Sequence, residues 1–295
     1  MSYPKPITRF APSPNGRLHM GHAYSALLNQ KLAGEGTFLL RIEDIDLGRR
    51  QEKFIDAIFE DLHWLGLSWP TPVMMQSTRF DVYQAALDKL RALDVVYPCW
   101  ATRREIKDYI RDIGRLADWP IDPDGAYLYP GLYRDISENK RNALMWEDTH
   151  YAWRLNMEKA HHLAQEINGG PIFFEETATQ KQIAVTPEIF GDVVIARKDI
   201  PTSYHLSVVC DDAAQEVSLV IRGMDLQPAT HIHRILQILL DFPCPSYHHH
   251  ALIRHETGER LSKRAGDEGF ASWREAGKSA QELIAQLPAP IGAGT

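Results

Sequence analysis

The chain of 295 residues predicts an α/β fold in which a parallel nucleotide-binding sheet is split by a small α+β insertion. Three observations predict it. Residues 7–42 read as strand, turn, helix and strand, the opening unit of a parallel sheet. Between about Cys99 and Pro187 the apolar periodicities weaken while Trp, Pro, Gly and Asp become common, as in an insertion with its own small fold. Strand-like patterning then returns at Val193–Ala196 and Val217–Ile221, before Ile232, Ile235, Leu236 and Leu239 repeat at i, i+3, i+4 and i+7 as one face of a helix.

Each element has a local reason. The run from Ile7 to Ala11 ends in Pro-Ser-Pro-Asn-Gly, a strand entering a turn. Ala23, Ala26, Leu27, Leu28, Lys31 and Leu32 recur at helical spacing until Gly34 and Gly36 stop the helix. Phe38, Leu40 and Ile42 alternate as a strand before Glu43-Asp44, and Phe54, Ile55, Ile58, Phe59, Leu62 and Leu65 mark the next helix. The expected division is 1–98 for the first half of the sheet domain, 99–187 for the insertion, 188–250 for the second half, and 251–295 for a loop and a short helical segment. The final PAPIGAGT, after Leu287, is expected to fray.

Composition bounds the function. With 44% hydrophobic and 24% charged residues the chain reads as a folded globular protein. It has no run near the roughly 18 apolar residues of a membrane span. MSYPKPITRF lacks the apolar core of a signal peptide, so a cytoplasmic protein with no membrane contact is expected; a monomer is expected too, though not from this segment. Cys99, Cys210 and Cys244 form no CxxC pair and no disulfide framework. The net charge of −7, from 39 acids and 32 bases, excludes a protein that coats nucleic acid. Any such contact falls to local clusters: Arg49-Arg50, Arg103-Arg104 with Lys107, Lys140-Arg141 and Lys263-Arg264.

The chemistry concentrates in RFAPSPNGRLHMGH, Arg9 to His22. A helix that follows a strand and a turn points unpaired N–H groups and the positive end of its dipole at the carboxyl edge of the sheet, where phosphates bind. Neither GxxxxGK[ST] nor a GxGxxG after a strand is present. His19 and His22 would instead offer N–H donors to a polyphosphate, with Gly21 removing a side chain that would block close approach. On these residues alone, two half-exposed histidines beside a Pro-rich turn are the better reading, because a four-residue motif is weak.

That stretch, followed by LLRIEDID, resembles the signature of the glutamyl- and glutaminyl-tRNA synthetases, class I enzymes with a HIGH motif. RLSKR at Arg260–Arg264 resembles their KMSKS loop, although Arg260 and Arg264 depart from its commonest letters. WLGLSW at Trp64–Trp69, YHLSVVCDD at Tyr204–Asp212 and VIRGMDL at Val220–Leu226 match in order and spacing. The resemblance implies the class I aminoacyl-tRNA synthetase Rossmann-type fold and a ligase reaction. In that reaction a glutamate carboxylate attacks the α-phosphorus of ATP, and the glutamyl group then moves to a hydroxyl on RNA. It implies that His19, His22 and Lys263 stabilise phosphate charge, with Pro12, Gly21, Leu261 and Ser262 also at the ATP and Mg²⁺ arriving on the nucleotide. It implies further that Arg9 and Arg222 hold carboxylates, that Tyr204 donates a hydrogen bond, and that Glu43, Ser13 and the Ala11 backbone receive the amino group of L-glutamate. Bidentate carboxylate pairing favours Arg over Lys at such positions.

About thirty residues follow Arg264, too few for a further packed domain. A catalytic core that ends there resembles the glutamyl-Q tRNA(Asp) synthetases, whose acceptor is queuosine in the anticodon loop of tRNA(Asp). A short glutamyl-tRNA synthetase charging the 3′ end of tRNA(Glu), and a non-catalytic RNA-binding paralogue, are the alternatives. Many relatives hold zinc in the insertion through Cys-x-Cys and Tyr-x3-Cys. The corresponding residues here are Cys99, Ala101, Tyr129 and Tyr133, so two thiolates are missing and zinc is predicted absent. His248, His249 and His250 alternate in direction on an extended segment and are not expected to bind a metal.

Overall fold

The computed structural model describes residues 5–147, 150–253 and 270–291. The chain opens with β1 (Ile7–Phe10), α1 (Met20–Ala33), β2 (Thr37–Ile42), α2 (Glu52–Trp64) and β3 (Met74–Met75), followed by α3 (Phe80–Ala92). β4 (Val96–Cys99), α4 (Arg103–Asp112), α5 (Glu138–Glu147), β5 (Ala152–Leu155), α6 (Met157–Asn168), β6 (Phe173–Glu176), β7 (Lys181–Ala184) and β8 (Val194–Ala196) come next. α7 (Tyr204–Ala214), β9 (Leu219–Gly223), α8 (Ala229–Leu240), β10 (Ser246–His250), α9 (Phe270–Glu275) and α10 (Ala280–Ala285) complete the described elements.

β2 lies between β1 and β3, all parallel, and β10 lies between β9 and β6, again parallel, with β7 antiparallel at the edge. The two sets meet where the Ser218 N–H donates to the Ile7 carbonyl at 3.0 Å and the Ile7 N–H to Ser218 Oγ at 2.9 Å. β1 and β9 are thus neighbours whose chains leave in opposite directions across the sheet. That is the switch point at which open α/β sheets bind ligands, beyond the strands' carboxyl ends. Gly36 is required by a close approach: a Cβ there would sit 2.0 Å from the Pro6 carbonyl oxygen, beside the Thr37 N–H bond to that same oxygen at 2.9 Å.

Phe10, Leu28, Leu40, Ile58 and Leu62 pack on one another and on Trp273 and Leu283 of α9 and α10. A second core joins Leu87, Ala160, Ala164, Leu206, Ile232 and Leu236. A small third cluster of Tyr97, Cys99, Ile106, Ile110 and Tyr129 lies at the start of the expected insertion.

The structure divides residues 99–187 among several neighbours. β5 pairs antiparallel with β4 and β8, whereas α6 packs on α8, and β6 joins β10 in the main sheet. α6 is capped by the Asn156 side chain, buries Met157, Ala160 and Ala164, and ends at left-handed Gly169. Its buried stripe is partly alanine among His, Lys and Glu, which is why its periodicity is faint in the sequence. The tail, expected to fray, is tethered at its start: the Ala289 carbonyl accepts from Tyr24 Oη at 3.1 Å and the Pro290 carbonyl from Lys31 Nζ at 2.6 Å. The expected loop at Arg260–Arg264 lies outside the described residues. Among the described residues no helix is long and apolar enough to cross a membrane.

Candidate active site

A cavity of about 610 Å³ opens at the carboxyl ends of β1, β2 and β9, under the first turn of α1. Arg9, Ala11, Pro12, Ser13 and Glu43 line one side, and Tyr204 and Arg222 reach it from α7 and β9. His19, Gly21 and His22 complete the wall. All ten expected residues that fall among the described ones therefore share one cavity, whereas Leu261, Ser262 and Lys263 lie outside the described residues.

The two histidines cap their own helix. His19 is extended at the N-cap, and its Nδ1 accepts from the Gly21 N–H at 3.1 Å. His22 Nδ1 accepts from the His19 N–H at 3.1 Å, so each ring answers one orphan donor of the first turn. The ring centroids are 3.8 Å apart. Because Nδ1 is the acceptor in both rings, the proton of each neutral imidazole sits on Nε2. Gly21 serves this arrangement directly, since a Cβ there would lie 3.0 Å from His19 Cε1. No acidic residue stands in the first turn of α1 to oppose the dipole.

The cavity's two arginines differ in charge balance. Arg9 pairs bidentately with Asp212, Nε at 2.9 Å and Nη2 at 3.3 Å, and Asp212 also accepts from buried Arg41 Nη2 at 2.6 Å. Burial pushes the Asp212 carboxyl up, but Arg9 and Arg41 together outweigh it and hold it below its ordinary value. At Glu43 the balance is reversed: burial pushes the carboxyl up to about 7, and Arg41 and Arg9 offset only part of that.

Arg222 is 5% exposed and touches neutral groups. Nε donates to His249 Nε2 at 3.1 Å, Nη1 to Tyr204 Oη at 3.2 Å and towards His233 Nδ1 at 3.3 Å, and Nη2 to Thr230 Oγ1 at 2.7 Å. Among the described residues no carboxylate pairs with it. A buried cation with hydrogen bonds but no counter-ion is costly, and on a cavity wall it marks an anion site.

Asp212, Thr230 and His233 were not expected at the site, and His249 was considered only as a metal ligand. A signal existed for Asp212, because the adjacent carboxylates in LSVVCDDAA are costly in an apolar helix unless paired. Both are: Asp211 accepts from Gln76, Arg79 and Tyr83. The polar face THIHR of α8 is buried as well, which amphipathic periodicity alone would not suggest.

At the expected zinc position, Cys99 Sγ donates to Tyr129 Oη at 3.4 Å and accepts from Arg154 Nε at 3.4 Å. The Arg154 guanidinium lies 4.1 Å from the Tyr129 ring centroid, and Tyr129 Oη accepts from the Tyr133 N–H at 2.8 Å. The three consecutive histidines diverge. His248 meets Thr177 at 3.0 Å, His249 faces Glu176, and His250 packs edge-on against Tyr24.

Residues 6–287 match the family model of the class I tRNA synthetase catalytic domain for glutamate and glutamine (E and Q). The chain is 44% identical to a glutamyl-Q tRNA(Asp) synthetase of Rhodobacter capsulatus over 94% of this chain and 98% of that one. It is 34% identical to a glutamate–tRNA ligase of Aquifex aeolicus over 95% of this chain and 56% of that one. A crystal structure of a glutamate tRNA ligase from Elizabethkingia meningosepticum, in complex with its amino acid, superposes with a TM-score of 0.68 at 25% identity. That match covers 89% of this chain and 53% of the other. With a switch-point cavity, a histidine-capped helix at its rim and relatives matching along nearly the whole length, the chain belongs to the class I tRNA synthetases of the glutamate and glutamine type, alongside those named glutamyl-Q tRNA(Asp) synthetase.

Proposed function

We propose that the chain activates L-glutamate with ATP and transfers the glutamyl group to queuosine in the anticodon loop of tRNA(Asp). The observation that carries the glutamate half is the cavity itself. It sets the buried charge of Arg222, which has no carboxylate partner among the described residues, on the same wall as Glu43, so that a ligand with an anionic end and a cationic end is complementary to it. The 44% identity to a glutamyl-Q tRNA(Asp) synthetase, along nearly all of both chains, supports the acceptor.

In the proposed reaction the glutamate ammonium sits at Glu43, Ser13 and the Ala11 carbonyl, and its side-chain carboxylate pairs with Arg222 and Tyr204. The α-carboxylate, near Arg9, attacks the α-phosphorus and pyrophosphate leaves. The nucleophile is already an anion, so no general base is needed. The gain comes from holding the reactants in line and from donors aimed at the phosphate oxygens. The Nε2–H groups of His19 and His22, the first-turn N–H groups of α1 and the Lys263 ammonium are those donors. Among the described residues no cluster of three His, Cys, Asp or Glu forms a resident metal site. Mg²⁺ enters as part of the nucleotide substrate, and its phosphate oxygens hold it.

An anticodon loop is accessible to such a core because unstacked bases can be splayed into a pocket and read on their edges. The exposed Arg103, Arg104 and Lys107 of α4 supply phosphate contacts despite the acidic total. The proposed active species is a monomer, to be checked by the molar mass in solution. Radiolabelled glutamate should be transferred to tRNA(Asp) carrying queuosine, and to a stem-loop carrying it, but not to unmodified tRNA(Asp) or to tRNA(Glu). Efficient charging of tRNA(Glu) at its 3′ end would overturn the acceptor.

A further inference from the structure

Arg222 is held by imidazoles, and one of these is held by a buried acid. Glu176, at the end of β6, is 4% exposed. Its carboxylate accepts from the His249 backbone N–H at 3.1 Å and pairs with His249 Nδ1. On the far side of the same ring, His249 Nε2 faces Arg222 Nε at 3.1 Å. A guanidinium nitrogen can only donate, so Nε2 must be a bare acceptor and the ring's proton must lie on Nδ1, where Glu176 receives it. Thr230 fits the same assignment, accepting from Arg222 Nη2 at 2.7 Å with its Oγ1 3.3 Å from His249 Nε2. Burial and the charge of Arg222 push His249 down to about 4 against the pull of Glu176, which keeps the ring neutral.

We propose that Glu176 and His249 are positioning residues for amino-acid recognition: Glu176 fixes the His249 tautomer, and the ring then orients Arg222 toward the side-chain carboxylate of the substrate. The inference rests on the glutamate reading above. Its physical advantage is separation. A carboxylate in direct contact would neutralise Arg222, as Asp212 does Arg9, whereas an interposed imidazole fixes direction and leaves the charge for the ligand.

Glu176→Gln tests it in the full chain. The His249 backbone N–H keeps the amide oxygen, so the amide NH₂ faces Nδ1 and drives the ring proton to Nε2, against the Arg222 N–H. Long-range ¹H–¹⁵N spectra of the histidines, with His249 assigned by its loss in His249→Gln, should place the proton on Nδ1 in the wild type and on Nε2 in Glu176→Gln. In ATP–pyrophosphate exchange, Glu176→Gln should raise the glutamate KM roughly ten- to a hundredfold, the cost of misdirecting a hydrogen bond to a charged group. The ATP KM and kcat should stay close to wild type. His249→Gln, which can offer Arg222 an amide oxygen without help from Glu176, should keep most of the wild-type affinity, and adding Glu176→Gln to it should do no further harm. A wild-type proton on Nε2, or an unchanged ratio of glutamate KM to ATP KM in Glu176→Gln, would overturn the inference. A wild-type protein that activates no glutamate would instead overturn the reading beneath it, whatever the tautomer.

Discussion

Replacing Glu43 by glutamine should stabilise the ligand-free protein above neutral pH while removing its ability to hold glutamate. The carboxyl is pushed up from 4.5 to about 7, chiefly by burial. Burial that raises the carboxyl this far sets a ceiling of about 3.5 kcal/mol, at about 1.4 kcal/mol for each tenfold change in proton affinity. Glu43 faces an open cavity, where solvent screening reduces this to about 1–2 kcal/mol. The folded carboxyl holds its proton more tightly than the unfolded one, so its stabilising contribution is present below about pH 4.5 and is lost as pH rises through about 7. Glu43→Gln removes that slope. Wild type and variant should melt together near pH 4, and by pH 8 the variant should melt roughly 2–8 °C higher, given about 2–4 °C per kcal/mol for a domain of this size. Ligand-free circular-dichroism melts from pH 4 to 8 read the first effect. ATP–pyrophosphate exchange reads the second, where the loss of the ammonium's partner should lower kcat/KM by about a hundredfold or more. A variant that melts below wild type at pH 8 would refute the reasoning, because Arg9 and Arg41 would then outweigh burial and Glu43 would be a structural ion-pair partner.

Arg222→Cys should erase the preference for glutamate over glutamine, since an uncharged amide needs no cation, and exchange assays with both amino acids measure the ratio. His22→Ala and Lys263→Ala should each lower the turnover of exchange far more than they weaken glutamate binding, because the His22 Nε2–H and the Lys263 ammonium act on charge that develops in the transition state; wild-type exchange rates in both would remove the assignment. Protein purified without an affinity tag should hold well below one equivalent of zinc by elemental analysis, and a stoichiometric signal abolished by Cys99→Ala would overturn that expectation.

Much of the fold is legible because its signals are local. The Pro-Ser-Pro-Asn-Gly turn, the alternation of Phe38, Leu40 and Ile42 and the 3.6-residue stripe of α8 each specify one element, and the structure has β1, β2 and α8 there. The placement of β6, and of β7 paired to its outer edge, was hidden because the β6 partner β10 lies about seventy residues away, and strand pairing over such a separation leaves no local trace. The site divides in the same way. His19, His22, Arg9 and Glu43 stand within or just after one contiguous motif, and motif spacing finds them. Asp212 matters only through contacts of α7 with β1 and β2, and His249 and Glu176 only through contacts among β9, β10 and β6, which no spacing rule encodes. Burial of a charged or polar side chain in an apolar element was the one available sign, and it does not say which partner satisfies it.

The opposite treatment of the two cavity arginines follows from what the proposed reaction asks of each end of the substrate. Around Arg9, two guanidiniums (Arg9 and Arg41) face two carboxylates (Asp212 and Glu43), so with Glu43 ionised that end is neutral overall. It suits the zwitterionic end common to all amino acids. At the other end Arg222 adds one charge that no described carboxylate compensates, so in the proposed reaction bound glutamate leaves these described groups balanced, whereas glutamine would leave that cation unpaired. The balance also bears on rate. The α-carboxylate must be held and yet remain a nucleophile, and a guanidinium free of other partners would draw electron density from the attacking oxygen. Arg9 is already bidentate to Asp212, at 2.9 and 3.3 Å, so it can orient the carboxylate with a weakened pull. The side-chain carboxylate attacks nothing, and the strongest cation in the cavity can be given to it without cost to the chemistry.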